Sequence, residues 1–257
     1  MILTLNIGNT RITVGGYEDD RQLFYGKLHT DPLATSDEYA ILLRNLLALH
    51  GQIHHTIDGC ILGSVVPAVT PHILAALQQL APVRVLTVGP GLKSGMRLRL
   101  DNPSQLGADL LCGIVAAVAR CNGPVVVINA DTALSMMAAN AKKELLGGSI
   151  LLSPHLSLPA MVRETAQLPQ IDPNTVTNAK VISTNTPACL QAGVVLGTAA
   201  MIDGMAARFT RELGPDTRFF ATGSLPDSIL DVCETDITYD RSLILDGLYA
   251  IWKRNRK

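Results

Sequence analysis

The chain has 257 residues, 47% of them hydrophobic, enough to bury either one large core or two domains of roughly 120 residues each. Its 21 basic and 22 acidic residues leave a net charge of −1, so no overall field draws it to nucleic acid or to an anionic membrane surface. Five widely spaced cysteines form no C-x-x-C or Cys/His cluster and read as reduced thiols, and no stretch reads as a membrane span or a secretory leader; the expected compartment is the cytoplasm.

In chain order, Ile2–Ile7, Arg11–Gly15 and Gln22–Leu28 predict a β-meander whose first turn, Asn6-Ile7-Gly8-Asn9-Thr10, offers backbone N–H groups to an anion such as phosphate. A bare hairpin turn has the same composition, because Gly and Asn accept positive φ. Ser36 with Asp37-Glu38 caps a helix that runs to Leu49. The adjacent His54 and His55 do not converge on a metal and read as a surface pair. Ile57–Val66 is a buried strand, Thr70–Leu80 a helix begun by Pro71, and Val83–Val88 another strand.

The long loop from Gly89 to Ser104 is of the kind that carries function. Gln105–Ala119 then predicts an apolar helix with Asp109 inside its pattern, where a carboxylate needs a partner or a cleft. From Gly123 the plan restarts: Val125–Met137 is strand, polar turn and strand, with Asn129 at the place of Asn6, and Glu144–Leu152 repeats the third strand. This layout predicts a structural duplication, with halves at 1–119 and 120–257 and the C-terminal helix packing back on the first half. Helices are expected over Ser157–Leu168, Thr186–Leu213 and Leu243–Trp252, a loop over Pro169–Thr184, a strand over Arg218–Ala221 ending in the turn Thr222-Gly223-Ser224, and a solvated basic tail from Lys253.

The motifs, in order, resemble those of the type III pantothenate kinases, a family that includes the Bvg accessory factor group and belongs to the actin-like, sugar-kinase-like ATPases. They are Asn6-Ile7-Gly8-Asn9-Thr10, Ser64-Val65-Val66-Pro67, Asp101-Asn102-Pro103, Gly107-Ala108-Asp109, Leu146-Gly147-Gly148-Ser149-Ile150, Thr165–Pro169, Asn185-Thr186 with Gln191-Ala192-Gly193, and Thr222-Gly223. The resemblance implies an α/β fold of duplicated ribonuclease-H-like domains with mixed sheets, and a homodimer. It further implies transfer of the ATP γ-phosphate to the hydroxyl of pantothenate in coenzyme A synthesis, with Mg²⁺ and K⁺ or another monovalent cation. By motif position Asp109 is the catalytic base. Asn6, Gly8, Asn9 and Thr10 form the first phosphate turn, and Asn129, Asp131 and Thr132 the second. Thr222 and Gly223 lie on the adenosine side, and Gly107, Asn185 and Thr186 on the substrate side.

Departures from the family pattern cluster on the same motifs. Asn6 and Asn129 replace the aspartates of the two phosphate turns, and Asp131 replaces a glycine while offering a candidate metal carboxylate two residues on. Leu110 stands for the arginine after the catalytic base, Leu100 for an aromatic residue, Leu152-Ser153 for Pro-Gly, and Ser224 for glycine. An amide is a poor substitute for a carboxylate beside a hard cation. The expectation is therefore a family member of weak or lost activity, with a non-catalytic paralogue in a binding or regulatory role as the alternative; a kinase for another small hydroxyl compound ranks third.

Overall fold

The computed structural model describes residues 1–176 and 179–256. The chain packs as two units. The first comprises Met1–Met96, Asp101–Ala116 and the stretch that begins at Ser242; the second comprises Arg97–Leu100 and Ala117–Arg241.

In the first unit, β1 (Ile2–Ile7), β2 (Arg11–Glu18) and β3 (Arg21–His29) form an antiparallel meander. It is extended by β4 (Gly59–Ser64) and β5 (Val85–Thr87), which lie parallel to β1, in the order β3-β2-β1-β4-β5. Alternation along β1 sorts its side chains: Leu3, Leu5 and Ile7 face a core built with Tyr39, Leu43 and Leu47 of α1 (Ser36–Leu49) and Ile73 and Leu77 of α2 (Thr70–Leu80). Thr35, rather than the predicted Ser36, caps α1: its hydroxyl accepts from the Glu38 N–H while the Glu38 carboxylate accepts from the Thr35 N–H, so Ser36 becomes the first helical residue. The opposite face packs on α3 (Ala108–Arg120) and α7 (Leu243–Asn255) through Ile61, Cys112, Leu245, Leu248 and Trp252.

The basic stretch expected to be a solvated tail is helical to Asn255. Its amide donates to the Lys93 carbonyl, and Lys253 pairs with Asp20. Lys257 lies outside the described residues.

The second unit repeats the arrangement. Here β7 (Val125–Ala130), β8 (Leu134–Ala139) and β9 (Glu144–Leu151) are the antiparallel meander, and β10 (Arg218–Gly223) and β11 (Ile237–Tyr239) lie parallel beside β7. The order β11-β10-β7-β8-β9 is that of the first sheet, with the two-residue β6 (Arg97–Leu98) added outside β9. Two sheets with one strand order, each a meander flanked by parallel strands, make this a duplicated ribonuclease-H-like fold of the actin-like ATPase type. Neither β6, β11 nor the single-turn α6 (Asp227–Leu230) was expected; two to four residues carry too little periodicity to register.

Two helices start elsewhere than predicted. Pro103–Gln105 is a separate 3₁₀ turn whose Ser104 N–H is accepted by the Asn102 side chain, so α3 begins only at Ala108 and Asp109 stands in its first turn, half-buried, rather than inside it. The helix expected from Ser157 is α4 (Pro154–Glu164), because Pro154 occupies the first helical position, where its missing N–H costs nothing.

Helix α5 (Thr186–Leu213) is long and apolar enough to cross a membrane by length and composition, although no membrane span was expected of this sequence. Its Val195, Ala199, Ile202 and Ala206 are core residues of the second unit, packed with Ile128, Met136, Phe219 and Ile229. The predicted loop over Pro169–Thr184 holds a 3₁₀ turn at Pro173–Thr175 and falls partly outside the described residues.

On α5, Asp203 accepts hydrogen bonds from the Glu234 N–H and the Thr235 N–H and hydroxyl. Burial works to raise its pKa, but these donors outweigh it and hold the carboxyl below its ordinary value of 3.8. A depressed folded-state pKa stabilises the protein above the unfolded value and ceases to as the pH falls through the lower folded value. Asp203→Asn is thus expected to lower the melting temperature at pH 7. In a pH series of melting curves the gap to the unmodified chain should close as the pH falls below the ordinary carboxylate range.

Candidate functional site

In the first unit the candidate residues gather at the carboxyl ends of β1 and β4, where ligands of open α/β sheets are bound. Asn6 is paired with Thr13 on β2 and Gly63 on β4, and its side chain is 7% exposed. Its Oδ1 accepts no hydrogen bond among the described residues. Gly8 is buried, Asn9 and Thr10 are exposed, and the Gly8 N–H donates to the Arg11 carbonyl to close the turn. Beside it, the Val65 N–H donates to the Ile7 carbonyl, and Ser64 is held by the Val66 N–H and the Thr70 hydroxyl.

The start of α3 packs against this edge. A Cβ at Gly63 would lie 3.2 Å from that of Ala108, and one at Gly107 would lie 2.5 Å from Asp109 Oδ1 and 3.4 Å from Val65 Cγ1. Glycine at 107 thus leaves the space that the Asp109 carboxylate occupies, and the Ser64-Val65, Gly107 and Asp109 motifs form one neighbourhood. The first turn of a helix also favours a negative side chain.

In the second unit, Asn129 is 6% exposed and Thr222 is 1% exposed; the two are register partners on the parallel strands β7 and β10. Gly223 has φ +92°, and a Cβ there would stand 2.4 Å from the Ala130 carbonyl oxygen, so only glycine fits this close approach. The Ser224 N–H donates to that same oxygen, and the Tyr239 hydroxyl donates to the Gly223 carbonyl. Asp131 and Thr132 are half-buried in the turn between β7 and β8, closed by the Asp131 N–H on the Ala133 carbonyl. The turns that follow β7 and β10 are therefore adjacent. Asn185 is exposed and caps α5: its Oδ1 accepts the Ala188 N–H, and Thr186 is the first residue of that helix. Thr186 also lines an apolar groove of about 510 Å³ between α4 and α5, with Met161, Leu190, Val194 and Met201.

A family model described as type III pantothenate kinase matches residues 2–208. The chain belongs to the type III pantothenate kinase family. It is 38% identical over 255 residues to a type III pantothenate kinase of Solibacter usitatus, covering 99% of this chain and 97% of that one. It is 36% identical over 257 residues to another from Roseiflexus castenholzii, covering both chains in full. Among solved structures, a conserved Baf family protein of Campylobacter jejuni superposes with a TM-score of 0.61 at 18% identity, over 99% of this chain and 98% of that one, which supports the fold.

Against that family's chemistry, the Gly8 turn keeps a glycine while Asp131 stands in the second turn, and the Gly8 and Asp131 N–H groups close their own turns on the Arg11 and Ala133 carbonyls. The residues do not fit a divalent cation well. Asn6 presents an uncharged buried oxygen, and among the described residues no three His, Cys, Asp or Glu side chains group as a metal site. His54 and His55 are exposed, and all five cysteines are free thiols; burial pushes those of Cys60 and Cys233 up to about 12.

Three residues at the turns were missed from sequence: Thr30, Ser153 and His155. The Thr30 hydroxyl donates to the Gly8 carbonyl, the Ser153 hydroxyl to the Thr132 carbonyl, and His155 Nε2 to the Ser224 carbonyl. One signal was available: a hydroxyl residue follows the third strand of the meander in both halves.

Proposed function

We propose that this member of the type III pantothenate kinase family keeps the polyphosphate cradle and the general base but runs the family reaction weakly or not at all. That reaction is ATP and pantothenate to ADP and 4'-phosphopantothenate, in coenzyme A biosynthesis. The observation that carries the reading is the pair of buried amides, Asn6 and Asn129, one in each phosphate turn. Phosphoryl transfer depends on positioning and electrostatics more than on covalent chemistry, so each missing preorganised charge costs on the order of 3 kcal/mol, about a hundredfold in rate. ATP is the expected phosphoryl donor. Mg²⁺ and K⁺ accompany the family reaction by resemblance, and no step is assigned to either.

Asp109 retains the role of accepting the proton of the attacking hydroxyl. Asp109→Asn is expected to lower any residual phosphopantothenate formation by a further ~10²–10⁴-fold, while ATP affinity from calorimetry stays within about twofold. Leu110 and Leu100 take a charge and an aromatic group from the acceptor side, which supports poor handling of pantothenate. Leu100 Cδ2 lies 3.8 Å from where a Cβ on Gly147 would sit. The protein is read as a cytoplasmic homodimer.

A second reading, a non-catalytic paralogue with a binding or regulatory role, is favoured by the Asp131 side chain where the family's second turn has glycine. Calorimetry with ATP and a coupled kinase assay separate the two. Measurable phosphopantothenate from the unmodified chain sinks the paralogue reading; no turnover and no ATP heat, with the dimer intact, sinks the kinase reading.

A further inference from the structure

We propose that Thr30 and Ser153 are a matched pair of positioning residues, one for each phosphate turn, whose hydroxyls fix the turn backbone in the shape that receives a polyphosphate. The inference rests on the reading of these turns as a phosphate cradle.

The two occupy corresponding places in the duplicated meanders. Thr30 directly follows β3, and Ser153 stands two residues beyond β9. Thr30 is 3% exposed; its hydroxyl donates to the Gly8 carbonyl at 2.7 Å and its N–H to the Thr10 carbonyl at 3.1 Å, so it grips both arms of the first turn. The next residue is anchored in turn: the Asp31 N–H donates to the hydroxyl of Tyr39, which donates back to the Asp31 carbonyl. Ser153 is fully buried and its hydroxyl donates to the Thr132 carbonyl at 2.5 Å.

Ser153 is also the N-cap of α4, a position where serine ordinarily accepts a backbone N–H, yet its side chain makes no capping bond. The hydroxyl is directed to the phosphate turn instead. Serine here replaces the glycine of the family pattern, in the same half where Asp131 replaces another glycine.

The consequence follows from the planar trans peptide. A carbonyl and the N–H of the next residue point in opposite directions. Tying the Gly8 and Thr132 carbonyls to buried hydroxyls therefore aims the Asn9 and Ala133 N–H groups away from Thr30 and Ser153. Those two N–H groups are the donors the pair presents to an anion.

The test uses the full chain with Thr30→Val, Ser153→Ala and the conservative Thr30→Ser and Ser153→Thr, read by amide hydrogen exchange and by calorimetry with tripolyphosphate. Loss of one hydrogen bond should speed exchange about three- to tenfold over residues 8–11 in Thr30→Val and over 131–134 in Ser153→Ala, each variant leaving the other turn unchanged. Tripolyphosphate affinity should fall by a similar factor in both, with melting temperatures within about 4 °C of the unmodified chain, and the conservative variants should restore both readouts. Unchanged exchange in Thr30→Val and Ser153→Ala overturns the pairing while leaving the cradle standing. Failure of the unmodified chain to bind tripolyphosphate overturns the cradle reading itself.

Discussion

Changing Asn6 and Asn129 together to aspartate is expected to raise phosphopantothenate formation by up to ~10⁴-fold, the product of two preorganised contacts worth about a hundredfold each. On that arithmetic each single change should recover about a hundredfold. The same substitutions carry a structural cost. At 7% and 6% exposure, Asn6 and Asn129 sit where a carboxylate is desolvated, and burial raises an aspartate's folded-state pKa above its unfolded value. Such a group destabilises the fold at neutral pH, and the penalty disappears as the pH falls below the unfolded value. The double variant should therefore melt below the unmodified chain at pH 7 without nucleotide, and regain the difference on acidification. The gain in turnover and the loss in stability have one origin: a negative charge placed in a pocket that now holds a neutral amide.

The largest effect on stability is expected from Gly247→Ala. A Cβ at 247 would stand 1.9 Å from the Cys112 carbonyl oxygen and 2.5 Å from its carbonyl carbon, so the contact is between helix backbones and no side-chain rotation relieves it. α7 and α3 must separate, in a layer where Leu245, Leu248, Ile251 and Trp252 are all buried. Overpacking of this kind costs about 3 kcal/mol, which lowers the melting temperature by roughly 6–12 °C in a chain of this size. Gly193→Ala is the control: outside its own stretch of helix, no atom of the described residues lies within 4 Å of its added Cβ, and melting should change by no more than about 2 °C.

Much of the duplication was legible because β1 and β7 read as apolar runs broken by the same polar turn, and because hairpin spacing fixes neighbouring antiparallel strands. The position of Asp109 was legible as a residue and not as a place. Its helix seemed to begin at Gln105, whereas Gln105 ends a 3₁₀ turn and Leu106, in extended backbone, separates that turn from α3. Thr30 and Ser153 were hidden for a different reason. Their partners lie 22 and 21 residues away along the chain, and no local pattern marks a hydroxyl that reaches a distant carbonyl. The membrane-like composition of α5 shows the reverse: an apolar helix of 28 residues whose inner side belongs to a sheet core.

The most direct measurement is phosphopantothenate formation by the unmodified chain, supplied with ATP, Mg²⁺, K⁺ and pantothenate, alongside the Asn6→Asp/Asn129→Asp variant. The expected result is a trace or no product from the unmodified chain and clear turnover from the double variant. Turnover by the unmodified chain that equals or exceeds that of the double variant would contradict the proposal that the two buried amides limit turnover.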